Sequence, residues 1–201
     1  DVALGRERDY SAFHIINMYN GEQVAEFYSN KTPINDLAEI IAKEAGLYNT
    51  AYVFIERNTI GNNLIDWLFN VLEYENLWVD EKGDIGYQVT TKTREILLAS
   101  MEELIRRNVI KINSGRTVQE LLTFIITENG RYEADVGQHD DLISSLSLAA
   151  FGLNNLIETT PLEHTKILHK ESKPLGMSLI KKYPIKSFGG MTQEDLRWLM
   201  K

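Results

Sequence analysis

The sequence of 201 residues contains no cysteine and only four prolines. Without cysteine, the chain cannot use a disulfide scaffold, a thiolate metal site or a thiol nucleophile. No apolar run approaches the roughly 18 residues of a membrane span, and no basic-then-apolar signal segment opens the chain. A chain of this length can bury roughly 70% of its unfolded surface, so we expect a fold that depends on its hydrophobic core.

Several common enzyme signatures are also missing from the sequence. None of the four histidines forms the His-Glu-x-x-His pair of zinc hydrolases. The sequence has neither the Gly-x-Ser-x-Gly elbow of serine hydrolases nor the Gly-x-x-x-x-Gly-Lys-Ser/Thr loop that binds nucleotide phosphates. These absences argue against a zinc hydrolase, a serine hydrolase of that type and an ATP site within the chain.

Charge is distributed unevenly along the chain. The formal net charge of −8 argues against a general nucleic-acid coat protein and against binding to anionic membranes. Residues 1–154 carry 13 basic and 24 acidic side chains, whereas residues 155–201 carry 8 basic and 5 acidic ones. The change of sign predicts a main domain over residues 1–156 and a basic tail over residues 157–201 that packs on the core or on a partner.

Apolar periodicity and turn signals predict an α/β fold with a mixed sheet. The chain opens with a hairpin around Asn20-Gly21, a dipeptide that tolerates positive φ at both central turn positions. Thr32 is expected to cap the first helix, with Pro33 in its first turn. The predicted strands are Ser11–Met18, Val24–Tyr28, Ala51–Glu56, Leu77–Val79, Val109–Ile112 and Arg131–Ala134, and the predicted helices are Ile34–Gly46, Gly61–Leu72, Thr93–Arg107, Thr117–Thr127 and Asp141–Leu156.

Acidic residues occur at three places where an apolar strand ends or an apolar helix begins. Asp1 and Asp9 flank the opening segment, Glu56 closes a strand, and Asp140 and Asp141 begin the last predicted helix. Each acid alone has a simpler interpretation as a helix cap or a solvent-facing charge. Together, at strand ends where loops converge, they predict a site for hard divalent cations, which take oxygen ligands. Two such cations would suit phosphodiester hydrolysis.

Five basic residues lie near these acids. Such residues could hold the phosphates of a nucleic acid around a metal site, although each could also be an ordinary solvated charge. The segment before the third predicted helix could also place phosphate at that helix N-terminus. The candidates for DNA binding are Arg6, Arg8, Arg57, Lys92 and Arg94.

At these residues the sequence resembles the C-terminal nuclease domain of the large terminase subunit of tailed bacteriophages, most closely the T-even-like phages. The resemblance covers about residues 1–153. Its motifs are Asp1-Val-Ala-Leu-Gly-Arg-Glu-Arg-Asp9-Tyr-Ser-Ala, Val53-Phe-Ile-Glu56-Arg-Asn-Thr-Ile-Gly61 and Gly137-Gln-His-Asp-Asp141-Leu-Ile-Ser-Ser-Leu.

This resemblance implies a ribonuclease H-like fold with a five-stranded mixed sheet and flanking helices. It also implies a two-metal endonuclease, dependent on Mg²⁺ or Mn²⁺, that cuts concatemeric viral double-stranded DNA during headful packaging. The family's catalytic, metal-binding triad falls on Asp1, Glu56 and Asp141. Asp9 matches a further acid of the first motif, and Asp140 is a possible additional metal ligand.

The resemblance further implies a place in a larger machine. The chain begins at Asp1 rather than methionine, and we expect it to be part of a longer protein with an N-terminal ATPase domain. The implied partners are double-stranded DNA, the small terminase subunit and the portal or procapsid, in the host cell cytoplasm and away from membranes. The alternatives are another ribonuclease H-like nuclease, acting on junctions or RNA–DNA hybrids, and a non-catalytic portal or capsid docking module.

Overall fold

Residues 1–3, 5, 9–127, 132–135 and 137–159 are described by a computed structural model. Arg6, Arg8 and nearly all of the predicted basic tail lie outside these residues, so the predictions for them remain predictions. In chain order the elements are β1 (Ser11–Ile16), β2 (Gln23–Ser29), α1 (Ile34–Leu47), α2 (Thr59–Asp66), a π-helical turn (Trp67–Val71), α3 (Thr91–Arg106), α4 (Gly115–Leu122), β3 (Phe124–Ile126), β4 (Tyr132–Ala134) and α5 (Asp141–Thr159).

The opening hairpin is present, but its turn differs from the predicted one. Strands β1 and β2 pair antiparallel, with Ser11 opposite Ser29. The connecting loop closes when the Asn17 amide donates to the Glu22 carbonyl at 2.8 Å. Within this loop Gly21 has a φ of 69°, whereas Asn20 does not have a positive φ. The prediction of positive φ at both central positions is therefore wrong, because a longer loop needs only one such residue.

Gly21 is required at its position for a second reason. A Cβ atom at Gly21 would lie 1.6 Å from the carbonyl oxygen of Val109. The Lys111 amide donates to the Gly21 carbonyl at 2.9 Å, so the loop and this segment run side by side. Gly21 therefore allows the hairpin loop to pack directly against the segment that follows α3.

Helix α1 begins without the predicted threonine cap. Its N-cap residue is Pro33, which makes no side-chain capping hydrogen bond. The Thr32 hydroxyl instead donates to the Ser29 hydroxyl at 2.8 Å, because the end of β2 lies beside it. The helix also continues one residue past Gly46, to Leu47.

The predicted fourth helix is split into two elements. Helix α4 ends at Leu122, and Phe124–Ile126 forms strand β3, which pairs antiparallel with β4. The segment is continuously apolar, so periodicity alone does not separate helix from strand. Pairing with Tyr132–Ala134, itself correctly predicted as a strand, decides in favour of the strand.

The described residues form two separate two-stranded sheets rather than one sheet of five strands. In the described residues, three further predicted strands make only isolated bridges: parallel ones between Val53 and Leu77, Glu56 and Tyr87, and Glu22 and Lys111, and an antiparallel one between Val79 and Ile85. The bridge between Val53 and Leu77 places the Ala51–Glu56 and Leu77–Val79 segments side by side, as a mixed sheet would. The five-stranded sheet itself stays a prediction.

The described residues contain two hydrophobic clusters. One contains Leu37, Leu64 and Leu68 from the first helical region, with Ile55 from the segment before Glu56. The other joins α3 and α5 and includes the fully buried Ile143. Since Ile143 lies in the first turn of α5, core packing fixes the start of that helix. Within the described ranges, no helix is both long enough and apolar enough to cross a bilayer.

Candidate active site

Asp1 is held beside strand β1 by backbone hydrogen bonds. Its amino group donates to the Ala12 carbonyl at 2.9 Å, and the Ala12 amide donates back to the Asp1 carbonyl at 3.2 Å. The Val2 amide donates to the Asp1 carboxylate at 2.7 Å. The Ser11 hydroxyl, fully buried, accepts from the Ala3 amide at 3.0 Å. These contacts give Asp1 a defined position at the edge of the hairpin.

Glu56 and Asp141 both lie close enough to Asp1 to act on it electrostatically. The negative charges of Glu56 and Asp141 both act at the backbone nitrogen of Asp1. The three residues come from the start of the chain, the end of the Ala51–Ile55 segment and the first position of α5. The fold therefore brings together three acids that are far apart in sequence.

Asp141 is a mostly buried carboxylate, with 15% of its side chain exposed. Burial raises its pKa, the nearby His139 opposes this, and the negative charges of Asp140 and Asp9 raise it further. The His139 Nδ1 lies 3.6 Å from the Asp141 carboxylate. The charge of Asp9 thus also acts on Asp141, and repulsion between these carboxylates opposes this arrangement.

Asp140 and Asp141 are neighbours in sequence but differ in their surroundings. Arg94 of α3 donates to the Asp140 carboxylate at 2.6 Å and to the Ser144 hydroxyl at 2.9 Å. Successive side chains on a helix diverge by about 100°, which permits this division. Asp140 is thus held in an ion pair with Arg94, whereas the Asp141 carboxylate lies beside His139.

The basic residues predicted to bind DNA are in different situations. Arg57 forms ion pairs with Asp80 at 3.3 Å and Asp84 at 2.6 Å, which lie in the loop after Trp78. Arg94 is paired with Asp140. Lys92 is exposed near the start of α3. Of these three, Lys92 is the cation that a phosphate could reach without breaking one of these ion pairs.

Glu120 is a further member of the group that the sequence did not indicate. Its carboxylate accepts from the Leu142 amide at 2.9 Å and from the Ile143 amide at 3.3 Å. Burial raises the pKa of Glu120 to about 7; the two amide hydrogen bonds oppose this, and the charges of Asp141 and Asp140 add to it. The contact crosses from α4 to α5, and no local pattern in the sequence announces it.

Two tyrosines border this carboxylate group. Burial, together with the nearby negative charges of Glu120 and Asp141, raises the pKa of Tyr28. The Tyr28 ring stacks on the Tyr10 ring with centroids 4.2 Å apart, and Tyr10 contacts the edge of His139 at 5.0 Å. The tyrosines therefore form a packed wall rather than a free stacking surface.

Comparison with known families identifies this arrangement. The model of the terminase RNaseH-like domain family matches residues 1–153. The chain belongs to this family. Its fold is similar to that of the large terminase nuclease of the thermophilic phage G20c, solved with bound cobalt and with bound magnesium. The identity is 20% and the TM-score 0.62 in both cases, over 75% and 74% of this chain and 77% of the other.

A second similar fold is the large terminase nuclease domain of Thermus phage P74-26. It shares 20% identity with a TM-score of 0.59, over 74% of each chain. The family and these structures confirm the predicted relation to terminases and the ribonuclease H-like fold. They do not single out the T-even-like phages.

The carboxylates of this terminase domain suit a divalent cation in donor type. Asp1, Glu56 and Asp141 offer only oxygen ligands, which Mg²⁺ and Mn²⁺ prefer. In the part of the chain that the structure describes, however, no three His, Asp or Glu side chains stand close enough to hold an ion as they are. A bound cation would have to draw these repelling carboxylates closer together.

Proposed function

We propose that this terminase domain is a Mg²⁺- or Mn²⁺-dependent endonuclease whose Asp1, Glu56 and Asp141 hold the metal. The observation that carries the proposal is that Glu56 and Asp141, from two distant segments, both act electrostatically at Asp1. Mutual repulsion and burial make such a group costly unless it serves a cation. The proposed substrate is concatemeric viral double-stranded DNA, cut during headful packaging.

Divalent cations would supply Lewis-acid activation of water and neutralise charge that develops on the phosphate. The chain's own contribution is to hold the oxygen ligands and to enclose them. Asp141 lies in a mostly buried position near Asp9, and the Tyr10–Tyr28 wall stands beside it. Asp9 is proposed to assist the metal group electrostatically, while Asp140 acts mainly through its ion pair with Arg94.

DNA would approach this group from the side of α3, where Lys92 is exposed. Arg6 and Arg8, between Asp1 and Asp9 in sequence, are proposed to contact phosphates as well. Arg57 and Arg94 support the site through their ion pairs. The proposed partners are the ATPase domain of the same protein, the small terminase subunit and the portal or procapsid, in the host cytoplasm. The basic tail over 157–201 is proposed as the docking segment.

Substitution of the proposed ligands tests this function. Asp141→Asn and Glu56→Gln keep side-chain shape but remove a charged ligand. Each should reduce Mg²⁺- or Mn²⁺-dependent cutting of supercoiled plasmid by more than the roughly 10–100-fold typical of residues that only support a ligand. Gel electrophoresis of nicked and linear products measures the rate, and circular dichroism confirms folding.

Glu39→Gln, an exposed acid on α1, is the matched control and should cut at the parent's rate. Metal-dependent cutting retained by both ligand variants would overturn the proposed site. A panel of duplex, four-way junction and RNA–DNA hybrid substrates distinguishes a terminase nuclease from other ribonuclease H-like nucleases. A protein that binds no metal and cuts none of the three would be a docking module instead.

A further inference from the structure

The first turn of α5 lacks the usual partner for its backbone amides. Helix N-termini leave N–H groups without intrahelical acceptors, and the residue just before the helix commonly supplies one. That residue is Asp140, whose carbonyl accepts from the Ser144 amide at 2.8 Å. Its carboxylate is directed instead to Arg94, at 2.6 Å. The capping function at this helix therefore has to come from elsewhere.

Glu120 supplies that function from another helix. One carboxylate oxygen of Glu120 accepts from both the Leu142 and the Ile143 amide, at 2.9 and 3.3 Å. A negative charge at this place also interacts favourably with the positive end of the helix dipole. Because Glu120 takes these amides, the carboxylate of Asp141 is not needed to cap its own helix.

We propose that Glu120 is a positioning residue that orients Asp141 for divalent-cation binding by capping the first turn of α5 from α4. The inference rests on the proposed function and adds a residue to it. Glu120 does not touch the metal; it acts through the backbone of the two residues that follow Asp141.

The backbone around Leu142 shows why this contact fixes Asp141. The amide of Leu142 is held by Glu120, and its carbonyl lies 2.9 Å from the His14 ring nitrogen Nε2. Its side chain is only 1% exposed. The residue next to Asp141 is thus fixed at its amide, carbonyl and side chain. Loss of the Glu120 contact would free the Leu142 amide, which belongs to the peptide group that joins Asp141 to Leu142.

Glu120 also lies near the hairpin. Its negative charge acts on the Tyr28 hydroxyl, and the Tyr28 ring stacks on Tyr10, which follows Asp9 in sequence. The Glu120 carboxylate therefore caps α5 from α4 at a place that the hairpin borders. Residues that orient a ligand in this way typically change metal affinity 10–100-fold when they are replaced.

Manganese binding to the full chain, measured by titration calorimetry, tests the inference without relying on activity. Glu120→Ala should raise the Mn²⁺ dissociation constant roughly 10–100-fold. Glu120→Gln keeps a carbonyl oxygen that can accept from both amides and should stay within a few-fold of the parent. Gln119→Ala, exposed on the same helix, is the matched control and should bind like the parent.

Each outcome either supports or contradicts the positioning role of Glu120. If Glu120→Ala does not fold, Glu120→Asp replaces it, because the shorter side chain keeps the charge but loses reach; its Mn²⁺ affinity should also fall. A folded alanine or aspartate variant with the parent's affinity overturns the positioning role and leaves the proposed function intact. A parent protein that binds no Mn²⁺, or an Asp141→Asn variant that binds as well as the parent, overturns the proposed function and this inference with it.

Discussion

His14 is held in its neutral form by partners on opposite sides of its ring. Nε2 lies 2.9 Å from the Leu142 carbonyl, and Nδ1 lies 2.7 Å from the Gln23 side-chain nitrogen. The Gln23 side-chain oxygen accepts from the Asn113 and Ser114 amides, both at 2.8 Å, which fixes the orientation of that amide group. Nε2 therefore carries the proton and Nδ1 accepts. A second proton on Nδ1 would face a donor.

This arrangement predicts an acid-sensitive contribution to stability. Removal from water lowers the pKa of His14 to about 4, from about 6.5 in the unfolded chain. The native state therefore binds fewer protons than the unfolded state between these values, and the free energy of unfolding falls as pH decreases through this window. The full effect is at most about 3 kcal/mol. Urea denaturation of the parent and His14→Gln from pH 4 to 7.5 should show a smaller decrease in the variant.

Glu120 acts in the opposite direction over a similar window. Its pKa is raised to about 7 in the native state, so its contribution to stability decreases as pH rises from about 4.5 to about 7. Because the two contributions oppose each other, the pH dependence of the parent alone does not isolate His14. The difference in the free energy of unfolding between the parent and His14→Gln does. The exposed Lys43→Gln on α1 serves as control and should keep the decrease that His14 causes. Equal pH dependence in the parent and His14→Gln would contradict this explanation.

At the scale of elements, helix α2 is capped by Asn58, two residues after the proposed metal ligand Glu56. The Asn58 side chain accepts from the Ile60 amide at 3.0 Å and from the Gly61 amide at 2.7 Å, two residues after Glu56. Gly61 cannot be larger, because a Cβ there would lie 1.9 Å from the Glu56 carbonyl oxygen. The turn from Glu56 into α2 is therefore closely packed as well as capped.

Removal of this cap should destabilise the domain measurably. Asn58→Ala leaves two amides without their acceptor and should lower the free energy of unfolding by about 1 kcal/mol. Asn58→Ser restores a capping oxygen and should recover most of the loss. Asn62→Ala, an exposed position inside the same helix, is expected to be neutral or slightly stabilising because alanine favours helices. Denaturant titration measures all three, and an unchanged midpoint for Asn58→Ala would rule out the cap as a stabilising feature.

Elements with strong local signals were predictable, and those decided by pairing were not. Helices α3 and α5 follow from apolar periodicity, and the hairpin follows from its Asn20-Gly21 dipeptide and flanking strands, although its loop is longer than predicted. Strand β3 was mistaken for the end of a helix because its three apolar residues pair with Tyr132–Ala134, a contact across a gap in sequence. Thr32 failed as a cap because the neighbouring end of β2 offered its hydroxyl a different partner.

The candidate site shows the same difference between local sequence signals and contacts across distant segments. Asp1, Glu56 and Asp141 are proposed as metal ligands from their positions at strand and helix ends and from family resemblance. Glu120 was missed because it caps a helix 22 residues away. The pairing of Asp140 with Arg94 spans 46 positions and likewise leaves no local pattern. Sequence can therefore propose the ligands, whereas the residues that orient them emerge only from the packing of α3 and α4 against α5.

At the scale of the whole molecule, the net charge of −8 limits how the chain binds DNA. Two of the basic residues considered for phosphate contacts, Arg57 and Arg94, are already bound to carboxylates. A phosphate would have to displace Asp80 or Asp140 to reach them. Of the described basic residues considered for phosphate contacts, the exposed Lys92 is the one outside these ion pairs, and the metal ions of the proposed function would supply further positive charge.

The salt dependence of DNA binding follows from this charge distribution. Each phosphate contact contributes about −0.9 to the slope of log K against log salt concentration. We expect weak binding of a fluorescent duplex and a slope of only about −2 to −3, measured by anisotropy with Ca²⁺ in place of Mg²⁺. Lys92→Gln should reduce the slope by about one unit, and the exposed Lys43→Gln on α1 should leave it unchanged. A slope steeper than about −6 would show that the isolated chain grips DNA through many phosphates, against the expectation that other parts of the packaging motor hold the substrate.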